Sequence, residues 1–443
     1  MDQIFIDGAW SEAHGAPARN IQNPATLKPL GTAADCGTGD VARAVDAARR
    51  GLPAWRALDA RARAEFSNGI GARIRAQKNQ LAGLLTRESG KPLCESADCI
   101  DAAATVFERA ADVAAADEEP PGVVAALVPF NFPLLTMASA IAPAIAAGNT
   151  LVCKPAPHNP LASLMLARSF ERLPPGVVNV VTGGCDTGLA LIRHPGVKNL
   201  ELGLSSIDAF IICDDADLEL AVPAIAWARL MNGGQGCGFG AHAYVQRSIV
   251  GDFVDRMHPC VGFLDVDDPS KPPTDLGPLI SLEAAHRVED QVGRTLRAGA
   301  KLILGGRRFR PSGLPGHFFQ PTIMTNVRPG SAPAREHILG PVITLTPVSD
   351  MAEAIAMHSA DAGTKFGVSI FTADPQRAMA SIDARPLADI RINDPQSAGH
   401  PGPYTGMRYE RIRHALGGAR GLQAAPALAP KPWWFPYRDR NCR

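Results

Sequence analysis

The pattern of apolar and polar positions changes character near residue 122. Before it, the chain reads mostly as helix. Residues 3–6 and 9–10 form a short apolar hairpin around the turn pair Asp7-Gly8. Residues 20–26 are polar, contain Pro24 and read as a loop. A helix is expected over 40–52, with Asp40 as its cap and Val41, Ala44, Val45 and Ala48 on one face. A second helix is expected over 59–89, where Phe66, Ile70, Ile74, Leu81, Leu84 and Leu85 keep helical spacing and Gly90-Lys91-Pro92 ends it. A third covers 96–116.

After the break at 117–122 the apolar runs become short and continuous. Residues 123–128, 150–153 and 177–181 suit strands buried on both faces. Helical patterns over 134–147 and 160–172 separate them, so the order is strand–helix–strand–helix–strand. That order defines a doubly wound α/β sheet. A second α/β region follows, with helices over 217–232, 281–298 and 351–357 and strands over 244–246, 302–304, 341–347 and 367–372. The Pro- and aromatic-rich stretch 423–443 carries no periodicity, and no internal repeat is present.

Composition narrows the picture. At about 100–200 residues per domain, 443 residues make two or three domains. Forty-four basic residues balance forty-four acidic ones, which argues against a nucleic-acid partner. Nine cysteines, the closest pair being Cys94 and Cys99, fit neither a disulfide framework nor zinc spacing. They read as reduced thiols of a cytoplasmic protein. Residues 1–8 are acidic and lack the apolar core of a signal peptide. The longest apolar stretch, 134–148, is shorter than the ~20 residues a membrane span needs.

Four features could carry chemistry. Cys237 lies among glycines in Gly233-Gly234-Gln235-Gly236-Cys237-Gly238, where backbone N–H groups and a substrate can come close. The other reading is a structural cysteine. Asn131, in Pro129-Phe130-Asn131-Phe132-Pro133 after a strand, can donate to an oxyanion or simply form a turn. Lys154, at the end of the next strand, can meet a ribose or phosphate or remain a solvated surface charge. Glu201 in Glu201-Leu202-Gly203 can activate water or be an ordinary strand-end carboxylate.

Taken in order, these features resemble the aldehyde dehydrogenase superfamily over most of the chain. Asn23-Pro24-Ala25-Thr26, Glu88-Ser89-Gly90-Lys91-Pro92-Leu93 and Pro129 to Leu134 are similar to family motifs. So are Gly148-Asn149-Thr150-Leu151-Val152-Cys153-Lys154-Pro155, the 173–181 segment, Gly234-Gln235-Gly236-Cys237, Leu276-Gly277-Pro278 and Ile392-Asn393-Asp394-Pro395. The resemblance implies an aldehyde dehydrogenase-like α/β fold, with a truncated Rossmann-type cofactor domain and a second α/β catalytic domain. It implies NAD or NADP as cofactor and a small-molecule aldehyde as substrate. Cys237 would be the nucleophile, Asn131 the oxyanion donor and Glu201 the base that releases the acid from a thioester. Lys154, Pro129, Phe130, Gly183 and His337 would contact the cofactor.

The departures from the family pattern concentrate on that cofactor. His194 is followed by Glu201 within a few residues, where the family has a strand, a phosphate-binding turn, a helix and another strand. Glu201 therefore aligns in two ways: as the family's base, or within the strand ahead of the lost turn. His337 stands for a family Glu on the nicotinamide ribose, and Pro157 for an acidic ribose contact. A reduced oligomerisation segment near 112–122 leaves a homodimer open. The expected domains are 1–203 for the cofactor, 204–405 for catalysis and 406–443 for a return segment and aromatic tail. Two other functions stay open: a catalytically impaired paralogue that binds a partner, and a cofactor-independent thiol esterase.

Overall fold

The computed structural model describes residues 3–110, 122–202, 208–236, 242–328, 336–360, 367–382 and 389–394. They divide into two compact units, the first reaching Leu202 and the second starting at Asp208.

The first unit opens with the hairpin β1 (Gln3–Ile6) and β2 (Ala9–Glu12), whose turn residues Asp7 and Gly8 have φ of 57° and 78°. Positive φ at both positions matches the twist of a two-residue hairpin. Strands β3 (Ala16–Gln22) and β4 (Pro29–Asp35) form a separate antiparallel ribbon. The helices α1 (Thr38–Arg56), α2 (Ala60–Ala76), α3 (Lys78–Ser89) and α4 (Leu93–Glu108) follow. The chain then alternates β5 (Val123–Leu127), α5 (Pro133–Ala146), β6 (Thr150–Lys154), α6 (Pro160–Ala167), β7 (Val178–Val180), α7 (Cys185–Arg193) and β8 (Asn199–Leu202).

The sheet order is β2-β1-β7-β6-β5-β8, with β5 to β8 running parallel. Every residue of β6 is buried, which explains its unbroken apolar run. On one face, Val123, Ala125 and Val152 pack with Val41, Ala44, Val45 and Ala48 of α1. Burying each such valine is worth roughly 1.5–3 kcal/mol. Because β5, β6 and β7 are parallel, the loops after Leu127, Lys154 and Val180 leave the same edge of the sheet. This is the edge where doubly wound sheets bind ligands.

Three expectations are corrected. The single helix over 59–89 is two, broken at Gln77 (φ −102°, ψ 11°), whose N–H bonds to both Arg73 and Ile74 carbonyls. No Gly or Pro marks the break, so periodicity runs through it. Residues 20–22 belong to β3, and only then does the Asn23 side chain turn the chain by accepting from Ala25 and Thr26 N–H. Helix α6 ends at Ala167, and residues 168–170 tighten into a 3-10 turn. Residues 111–121, which include most of the expected reduced oligomerisation segment, lie outside the described residues. So does everything beyond Asp394, the aromatic tail included.

The second unit contains β9 (Ala209–Ile212), α8 (Leu218–Leu230), β10 (His242–Gln246), α9 (Val250–Gly262), α10 (Leu282–Arg297), β11 (Lys301–Leu304), β12 (Thr322–Thr325), β13 (Val342–Val348), α11 (Met351–Ala360), β14 (Gly367–Phe371), α12 (Pro375–Ile382) and β15 (Asp389–Ile392). Its sheet order is β11-β12-β13-β10-β9-β14-β15, parallel except for β11 on β12. Only residues 203–208 separate β8 from β9, too few for a further helix and strand. The shortening of the cofactor half is thus a property of the chain's connectivity.

Among the described residues, no helix is long and apolar enough to cross a membrane, and no cluster of His, Cys, Asp and Glu could hold a metal ion. The seven cysteines described are all free.

Candidate active site

In the first unit the chain leaves β5 through Val128, whose N–H is held by the Lys154 carbonyl, and turns at Pro129-Phe130-Asn131 into α5. Asn131 is buried, and its Oδ1 accepts from Phe132 N–H at 3.0 Å. That bond orients the amide and makes Nδ2 its donor end. The Phe130 carbonyl accepts from Asn159 Nδ2 at 2.7 Å. The Phe132 ring lies under the Lys91 ammonium, 3.6 Å from its centroid.

Asn159 is in turn placed by Glu88. The buried Glu88 carboxylate accepts from Leu161 and Ala162 N–H at 2.6 and 2.8 Å, in the first turn of α6. Burial pushes Glu88 up to about 8, against the pull of its two N–H donors. Lys91 is fully buried and also donates to Cys99 Sγ at 3.4 Å. The motif Glu88 to Leu93 therefore braces the Asn131 loop as well as ending a helix.

Lys154 is the last residue of β6. Its Nζ donates to the Gly183 carbonyl at 2.9 Å and to the Pro155 carbonyl at 3.1 Å, and burial lowers its pKa. Its aliphatic stem lies along Gly188 of α7, where a Cβ would come within 3.3 Å of Lys154 Cε. Gly183 has φ of 143°, and a Cβ there would meet Thr187 Oγ1 at 2.1 Å, so only glycine fits. Pro129, Phe130, Lys154 and Gly183 thus all sit at the ligand-binding edge of the parallel strands. This arrangement fits a dinucleotide there. Asp35 Oδ1 occupies the Gly184 N–H at the start of α7.

Glu201 is the third residue of β8, its backbone opposite Ala126 of β5. It therefore belongs to the first unit's sheet, on the strand beside β5.

In the second unit, α8 runs through Leu230 toward the expected nucleophile. Cys237 itself lies outside the described residues. The turn before it is described, and it is unusual. Asn232, Gly233 and Gly234 have φ of 54°, 63° and 70° in succession. A Cβ on Gly234 would fall 2.0 Å from the Gly340 carbonyl oxygen, so the glycine allows a backbone contact no other residue would. Gln235 is buried, donates to the Asn232 carbonyl and accepts from Ile280 N–H, both at 2.9 Å. Arg229 donates from Nη1 to Gly234 O at 3.0 Å and from Nη2 to Ile338 O at 2.5 Å. His337 is half-buried, and its carbonyl accepts from Gln291 Nε2 at 3.4 Å. Glu336 pairs instead with Arg294, whose hydrogen bonds hold its carboxyl below the usual range.

Glu88, Lys91, Asn159, Arg229 and Gln235 support the loops but do not stand out as such in the sequence. Glu88, Lys91 and Gln235 lie inside family-like motifs and Asn159 and Arg229 outside them, but burial of a polar side chain depends on distant partners.

The comparisons agree with this architecture. The family model described as "Aldehyde dehydrogenase family" matches residues 10–203 and 196–424. The two matches share residues 196–203, so the segment around Glu201 aligns with two places in the family. The chain is 31% identical over 451 residues to succinate-semialdehyde dehydrogenase [NADP(+)] of Escherichia coli (strain K12), covering 92% of each. It is 33% identical over 453 residues to 3,6-anhydro-alpha-L-galactose dehydrogenase of Streptomyces coelicolor, covering 91% of each. It superimposes on the NAD+ complex of an aldehyde dehydrogenase from Bacillus cereus with TM-score 0.83 at 27% identity, covering 88% of each chain.

The fold and the family match thus define an oxidoreductase. The chain belongs to the aldehyde dehydrogenase family and oxidises aldehydes to carboxylic acids with NAD or NADP.

Proposed function

We propose that the oxidation runs through a covalent thioester on Cys237. The observation that carries this reading is the placement of Asn131: it is buried in the loop after β5, and its Oδ1 accepts from Phe132 N–H, which fixes the orientation of the amide. The Cys237 thiolate attacks the aldehyde carbon, and the oxyanion accepts from Asn131 Nδ2 and the Cys237 N–H. Collapse of this thiohemiacetal expels a hydride and leaves the acyl group as a thioester on sulfur. Water deprotonated by Glu201 then releases the acid and restores the thiol.

The nicotinamide cofactor, when bound, accepts the hydride. Pro129, Phe130, Lys154, Gly183 and His337 would hold it. We assign residues 1–203 to cofactor binding, 204–405 to catalysis and 406–443 to a return segment and tail. A homodimer in the cytoplasm, with neither nucleic acid nor membrane as partner, completes the reading. The relatives are named for chemically different aldehydes at nearly the same identity, so identity alone does not choose this chain's substrate.

The test is an aldehyde panel assayed with NAD+ and with NADP+, with Cys237→Ala alongside. The expected result is turnover that Cys237→Ala lowers at least ~10³-fold. Full activity in Cys237→Ala would overturn the thioester route.

A further inference from the structure

Arg229 is the largest buried charge whose purpose the proposed chemistry leaves unexplained. It is 2% exposed and forms no ion pair among the described residues. Burial pushes it down to about 10, which leaves it a cation at neutral pH. Both of its hydrogen bonds go to backbone carbonyls of other segments. Gly234 lies three residues before Cys237. Ile338 directly follows His337. One guanidinium fork therefore fastens the turn leading to the nucleophile to the segment carrying a cofactor contact.

The same two segments also meet at Gly234, which has no room for a Cβ against the Gly340 carbonyl. Gln235 ties the turn to Ile280. The turn needs such ties. Three successive left-handed residues, one of them not glycine, persist only where the surroundings over-determine them. Arg229 supplies the longest of the ties, reaching 109 positions along the chain.

We propose that Arg229 is a positioning residue that sets the Cys237 turn against the 336–340 segment, so that thiol orientation and cofactor binding depend on the same side chain. This rests on the reading of Cys237 as nucleophile and His337 as a cofactor contact. Lysine keeps the charge but has a single nitrogen, which cannot span both carbonyls as the planar fork does. Glutamine offers a single donor nitrogen and loses the charge.

The experiment compares Arg229→Lys and Arg229→Gln with the full-length parent. It measures kcat, KM for NAD+ and NADP+, the rate of iodoacetamide alkylation at Cys237 followed by peptide mass spectrometry, and Tm. The expected result for a folded variant is a fall of about tenfold or more in kcat and a changed alkylation rate, with KM for the cofactor raised. Arg229→Lys should be the milder of the two. A lowered Tm with unchanged kcat, cofactor KM and alkylation rate would make Arg229 purely structural and overturn the proposal. Failure of both variants to fold would do the same. Full activity in Cys237→Ala would instead sink the nucleophile reading, a separate outcome.

Discussion

Asn131 and Gly234 both sit where a regular element gives way to a loop, yet the two loops are held by different means. In the first unit the Asn131 loop has no positive-φ residue and is braced by side chains at or next to helix ends. Asn159 holds the Phe130 carbonyl, Lys91 covers Phe132, and Glu88 anchors the turn that carries Asn159. In the second unit the turn before Cys237 has three positive φ values and is held through its own backbone, by Arg229, Gln235 and the Gly234 contact. An oxyanion donor needs only a fixed position, which packing on rigid elements provides. A nucleophile loop in a strained conformation needs several simultaneous ties, and losing one affects all of them.

The largest effects that separate the two regions are expected in the first. Asn131→Ala should cost about 10²–10³ in kcat, and some stability as well, because it removes the oxyanion donor and also leaves the buried Phe132 N–H without its Oδ1 acceptor. Asn159→Ala should shift the balance toward stability. It leaves the Phe130 carbonyl unpaired, at about 1–3 kcal/mol of stability, while kcat falls less than in Asn131→Ala. Steady-state kinetics with denaturant unfolding reads both. A larger kcat loss in Asn159→Ala than in Asn131→Ala would mean that Asn131 only shapes the loop.

A smaller effect belongs to the second unit. His242 of β10 is buried between the Thr344 and Thr346 hydroxyls, and burial, with nearby His358, depresses it to about 3. The unfolded chain binds this proton near pH 6.5, the folded one only near 3. Stability is therefore complete above 6.5 and is lost as pH falls toward 3, by up to about 1.4 kcal/mol per pH unit. Denaturant melts at neutral and acid pH should show this slope, and His242→Asn should flatten it. An unchanged slope in the variant would assign the acid sensitivity elsewhere.

Much of the fold was legible because burial leaves a mark on neighbouring residues. The continuous runs at 123–128 and 150–153 are β5 and β6, as their apolar character requires. The break at Gln77 was not legible, because nothing in its side chain opposes a helix. Asn131, Lys154 and Cys237 stood out because glycine, proline and strand ends frame them. Glu88 and Arg229 did not, because their partners lie 73 and 109 positions away, and a charged residue in sequence reads as solvated until that partner is known.

A cofactor half shortened around β8 still serves an NAD(P)-dependent enzyme. Calorimetric titration of the full-length protein with NAD+ and NADP+, taken to millimolar concentration, tests it most directly. The expected result is saturable binding of at least one dinucleotide, weakened by Lys154→Ala. No binding of either would contradict it, since the hydride expelled from the aldehyde would have no acceptor.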